Sequence, residues 1–99
     1  MELKDPWGAP RDARALEREL AAEVSPGHVL AGVDLKAIAR RHDQDDVLFQ
    51  LLDGSARVAV VHLTYAGRGS REWPRATLYP SLEVWRLERM LPDSEEFNA

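Results

Sequence analysis

His62 is the residue whose type and setting most suggest chemistry. It lies in the apolar run RVAVVHLTY at 57–65. An imidazole in such a run needs a partner for each ring nitrogen, and its titration near neutrality suits proton transfer or ligand contact. Side chains alternate along a strand, so Val58, Val60, His62 and Thr64 share one face, and Ala59, Val61, Leu63 and Tyr65 the other. The second set is nearly all apolar and is expected in the core. An adjacent strand offers Gln50 beside His62, and the following loop offers Arg71. His62, Thr64, Gln50 and Arg71 therefore form a candidate ligand-binding set. The plainer account of His62 is a hydrogen-bonded histidine on the less buried face.

The remaining polar groups point less sharply to chemistry. His28, after Ser25-Pro26-Gly27, reads as a group capping carbonyls at a helix end. His28, His42 and His62 lack metal-ligand spacing, and the chain has no cysteine, so no metal or cofactor is expected. Asp43, Asp45 and Asp46 lack the glycine and glutamate of a calcium loop and read as a solvated turn. The run Gly67-Arg68-Gly69-Ser70-Arg71 has the composition of an anion-binding loop, yet it matches neither the Walker nor the dinucleotide pattern. No catalytic signature emerges, and the residues leave open whether the protein is an enzyme.

A second set suggests contact with another molecule. On a helix after residue 81, Val84, Leu87 and Leu91 define one side, while Leu82 and Trp85 fall on another. One sheet does not cover both sides, so the N-terminal arm, the first helix or a partner must cover the rest. With Trp73 these give candidate interface residues Trp85, Leu82 and Trp73, because Trp, Tyr and Arg are enriched at binding hot spots.

The elements that must position these residues follow from periodicity. Ala13, Leu16, Leu20 and Val24 recur at helical spacing, which predicts a helix over 11–24 with Asp12 as N-cap. Residues 33–41 alternate like a strand, although 35–41 also fit a short helix. The runs 46–52 and 57–65 are the clearest strands, joined by a hairpin about Gly54, and 76–79 is a short fourth. Ser81 starts a helix over 82–91 that Pro92 ends. The expected fold is α+β: a helix, a three- to four-stranded mostly antiparallel meander, and a C-terminal helix, with both helices on one sheet face. Residues 1–10 read as an N-terminal arm whose Trp7 packs back on the body, 11–92 as one domain, and 93–99 as a frayed acidic tail.

Asp45-Asp46-Val47-Leu48-Phe49, Val60-Val61-His62-Leu63-Thr64-Tyr65, Trp73-Pro74 and Leu78-Tyr79 together resemble a family of small uncharacterised bacterial proteins. That family shares a "VVHLT-aromatic" strand, a "WP" loop and a terminal amphipathic helix. The resemblance spans about residues 16 to 92. It implies the element order and a bacterial cytosolic origin, and it implies no activity or catalytic residue.

Apolar residues make up 44% of the 99 and charged residues 30%, with a net charge of −4, which fits one globular domain rather than a disordered chain. The acidic balance argues against a nucleic-acid partner, since phosphate contacts favour a basic excess. Arginines 40, 41, 57, 68, 71 and 75 lack the surface aromatics of an RNA-binding sheet. The apolar runs are too short to cross a bilayer, and the first residues lack the pattern of a secretory leader. With no cysteine, a cytoplasmic setting is expected. Two functions are then open: a protein-binding or regulatory module acting as a homodimer or with a partner, or a small-ligand binder or small enzyme built around His62.

Overall fold

The computed structural model describes residues 1–99. Its fold is α+β, with five antiparallel strands in the order β1 (Trp7–Gly8), β2 (Leu35–Arg41), β3 (Asp46–Leu51), β4 (Val58–His62) and β5 (Ala76–Tyr79). The sheet is a meander, as short connections favour. It has five strands rather than three or four, because the arm itself contributes β1, pairing Trp7 with Arg41 and Gly8 with Arg40. Of residues 33–41, Leu35–Arg41 form strand rather than helix. Gly54, at φ +82°, makes the turn between β3 and β4, and the register runs from Gln50 opposite Val58 to Asp46 opposite His62.

The helices lie on opposite faces of the sheet, not on one. Helix α1 (Ala13–Glu23) is capped by Asp12, whose Oδ1 accepts from the Ala15 amide at 3.1 Å. Its Leu16 and Leu20 pack on Val47, Phe49, Ala59, Val61 and Leu63. The C-terminal helix puts Trp85 and Met90 on Leu48, Val58, Val60, Ala39 and Trp7. The cause is the composition of β3 and β4. Both are apolar at nearly every position, so neither sheet face tolerates water, and a strand buried on both sides reads as a continuous apolar run. The open face expected around Val58 and Val60 is therefore covered.

The C-terminal helix is continuous over 82–97. It comprises α2 (Leu82–Trp85), a π-turn (Arg86–Met90) and α3 (Leu91–Phe97). The Ser81 hydroxyl accepts from the Val84 amide at 3.1 Å, as a cap should. Pro92 does not end the helix. The π-turn bonds the Leu91 amide back to the Arg86 carbonyl, and Pro92 then sits in the first turn of α3, where its missing N–H costs least. Residues 93–97 are accordingly helical rather than frayed. The wide turn also separates Trp85 from Met90 by five positions while both face the sheet. No helix of the protein is long and apolar enough to cross a membrane.

Trp7 is 1% exposed, so the arm does pack back on the body. Its ring meets Trp85 edge-on, with centroids 5.1 Å apart and planes at 88°. Such a pairing adds stabilisation beyond burial.

Candidate functional site

The hairpin register brings Asp46 to His62. The Nδ1–H of His62 donates to Asp46 Oδ1 at 2.7 Å, because a carboxylate only accepts. The outer oxygen of Asp46 accepts from Arg89 Nη2 at 2.7 Å, and Arg89 Nε donates to Asp93 Oδ2, also at 2.7 Å. Asp93 further accepts from the Trp7 indole at 2.9 Å and pairs with Arg41 at 3.2 Å. Arg41 completes the chain with a two-pronged contact to Asp43. Strands β1, β2 and β3 thus each send a side chain to the C-terminal helix at one corner of the sheet, and β4 joins them through the contact of His62 with Asp46. The Asp46 side chain is 10% exposed and that of His62 is 50% exposed. The arrangement orients the ring and leaves Nε2 toward solvent, able to exchange a proton or contact a ligand. None of the five surface grooves is lined by His62.

The other candidate ligand-binding residues are not gathered there. Gln50 faces Val58 four positions along β3 from Asp46, roughly 13 Å away at strand spacing. Its Nε2 donates to the Arg57 carbonyl at 2.9 Å. Thr64 turns to helix α1, its hydroxyl donating to Glu23 Oε1 at 2.8 Å. Arg71 is exposed in the loop. Sequence reasoning misses Asp46 because Asp43 and Asp45 make it read as turn, and it misses Arg89 and Asp93 because helix periodicity cannot foresee a π-turn. The signal for Asp46 was nonetheless present: positions 46 and 62 are equidistant from Gly54.

The interface candidates also separate. Trp85 is fully buried, so its indole covers the sheet and offers no surface. Leu82 is half-buried beside it. Trp73 alone is a surface aromatic, 43% exposed, with the Arg75 guanidinium 4.9 Å from its ring centre.

Buried Glu23 builds the second polar centre. Its carboxylate accepts from the Thr64 amide and hydroxyl and from the Tyr65 amide, at 2.8 to 3.1 Å. That capture ends β4 at His62. It holds Tyr65 at φ +54° and leaves it 55% exposed rather than in the core. Burial pushes the Glu23 carboxyl up, but hydrogen bonds from Glu19, Thr64 and Tyr65 outweigh it and hold the group below the usual carboxylate range. Glu19, one turn earlier, shifts the other way. Its hydrogen bond to Glu23, burial and the like charge beside it raise it to about 7.

The loop after Thr64 is tied to the same helix end. The Gly69 amide donates to the Glu23 carbonyl at 2.8 Å, and Arg68 Nη1 donates to the Val24 carbonyl at 2.8 Å. These contacts fasten the glycine-arginine loop to the end of α1. His28 does not cap α1. Its Nε2–H donates to the Pro74 carbonyl at 2.7 Å, and its Nδ1 accepts from the Leu30 amide at 3.0 Å. The Trp73-Pro74 segment is therefore anchored from both sides. Family models, curated proteins and solved structures yield no match to this chain.

Proposed function

We propose that the protein is a protein-binding module that acts as a homodimer, two copies joining their sheets along β5. The observation that carries this reading is the inequality of the two sheet edges. On one side β1 is only two residues long, and the free edge of β2 is stoppered by Glu17, whose carboxylate accepts from the Ala37 amide at 2.9 Å. Natural sheets blunt their edges in such ways. On the other side β5 has no neighbour beyond it and carries no such plug. Trp73 and Arg75 stand at its head, the residue types that dominate binding hot spots. Because α1 and His28 hold that loop in place, little ordering cost falls due on association. The lack of cysteine supports a cytoplasmic setting for such a module.

Sedimentation equilibrium tests the reading. Wild type should sediment as two chains in the micromolar range, and both Trp73→Ala and Thr77→Lys should shift it toward one. A single-chain mass for wild type throughout that range, or an unchanged dimer in both variants, overturns it.

A further inference from the structure

Of the two arginines side by side in β2, one has counter-ions and the other has none. Arg41 pairs with Asp43 and Asp93. Arg40, half-buried beside it, takes part in none of the chain's ion pairs. Only its Nε is engaged, donating to the Arg41 carbonyl at 3.3 Å. A guanidinium carries five donors and no acceptor, and a charge drawn even partly out of water is costly until something of opposite sign meets it. Arg40 lies opposite Gly8 of β1 and lines a recess of about 390 Å³ together with Ala9, Arg11 and His42. Arg11 is exposed and is likewise in no ion pair. Every polar side chain lining the recess is thus a cation or an imidazole, and no carboxylate lines it. That local sign runs against the net charge of −4.

The place of His42 is set by a missing side chain. A Cβ at position 8 would come within 2.4 Å of His42 Cε1 and 2.5 Å of its Nε2, so the ring rests on the bare main chain of β1. The His42 amide donates to the Pro6 carbonyl at 2.8 Å and holds the residue there. Neighbouring carboxylates have other tasks. Asp12 caps α1, and Asp43 holds Arg41. Asp5 stands 3.6 Å from His42 Nε2 and is 68% exposed, a loose contact that a stronger anion can displace. We propose that this recess binds the phosphate group of a small, soluble monoester. Such a group offers three acceptor oxygens and up to two charges. The free guanidinium donors of Arg40 and Arg11 meet it in the forked manner that suits phosphate, and the His42 imidazole supplies a third side. The recess lies at the β1 edge, across the sheet from β5, so it stands or falls independently of dimer formation.

The test is a titration of the nitrogen-15-labelled full chain with glycerol 3-phosphate, and with dimethyl phosphate as the diester counterpart. Salt is held at about 0.15 M, where loose attraction to surface charge is largely screened. The amides of Gly8, Ala9 and His42 and the Arg40 Nε–H should shift saturably, and the monoester should bind more tightly than the diester. Arg11→Gln, on the exposed surface, and Arg40→Gln should each weaken the monoester about tenfold, the loss expected for one hydrogen bond to a charged group. Gly8→Ala, which pushes the imidazole aside, should weaken it too. Arg71→Gln makes the same charge change in the loop at the far end of α1 and should leave the affinity as it was. Absence of a saturable shift, equal affinity for monoester and diester, or an Arg71→Gln loss as large as that of Arg11→Gln would each overturn the proposal. So would binding to vesicles carrying phosphatidic acid without binding of the free ester, which would make a membrane surface the occupant.

Discussion

Glu23 shows how one side chain can set a strand end, a loop and a pH response together. Removing its carboxylate strips three donors of their acceptor, although Thr64 and Tyr65 are exposed enough for water to replace part of it. Glu23→Ala is expected to lower stability by about 2 kcal/mol, read by denaturant unfolding. Glu19 supplies the pH dependence. Its folded value of about 7 lies above the unfolded 4.5, so its stabilisation is complete below the unfolded value and fades as pH rises through the folded one. Glu23 works in the opposite sense and loses its contribution only in acid. The thermal midpoint should therefore fall between about pH 5 and about pH 8, and Glu19→Gln should flatten that slope. A midpoint as steep in Glu19→Gln as in wild type would count against the pairing. None of this was legible from sequence, because Glu23 looks like any edge residue of an amphipathic helix until β4 delivers Thr64 beside it. The imidazole of His62 is legible as a partnered group, but the identity of its partner is not. Proximity along the chain favoured Thr64 and Gln50, whereas hairpin symmetry favours Asp46.

At the scale of an element, the C-terminal helix is where pattern reading stopped short. Two apolar sides on one helix suggest a helix that the sheet alone does not cover, the rest falling to the N-terminal arm, the first helix or a partner chain. The π-turn instead brings Trp85 and Met90 to the same sheet face, leaves Leu87 exposed, and carries Arg89 and Asp93 to the corner where Asp46 waits. Arg89 is the connecting piece, bonded to both carboxylates and stacked 5.6 Å from the Trp7 ring. Arg89→Ala leaves two mostly buried carboxylates short of a cation, a loss of about 3 kcal/mol. Amide exchange over 86–97 should quicken, and adding Asp46→Asn should restore part of the loss. Exchange at the wild-type rate in Arg89→Ala would show that apolar packing alone holds the helix down. Helix α1, by contrast, was legible to within a residue or two, because its cap, its narrow stripe and its Ser-Pro-Gly stop all agree.

For the whole molecule, the order of elements was readable from turns and periodicity, but the layering was not. Short strands with apolar residues on both sides fit a two-layer fold with one wet face only if some of those residues are sacrificed to solvent. Within β3 and β4 the chain sacrifices none of them. Leu48 and Phe49 are neighbours in sequence, point to opposite faces and are both fully buried. Leu48→Ala and Phe49→Ala should each cost about 3 kcal/mol in a single cooperative transition. A near-neutral result for Leu48→Ala would mean that the C-terminal helix does not cover that face. The two-residue strand at Trp7 was equally hidden, since a pair of residues between prolines carries no period at all.

Gly69 lies so close to its surroundings that a Cβ there would come within 2.2 Å of the Trp73 carbonyl oxygen and 3.3 Å of the Glu23 carbonyl oxygen. The bend that presents Trp73 is thus moored without slack, through the main chain at Gly69 as well as through the Arg68 side chain. One added methyl group at position 69 should set the aromatic platform adrift and leave the sheet beneath it undisturbed.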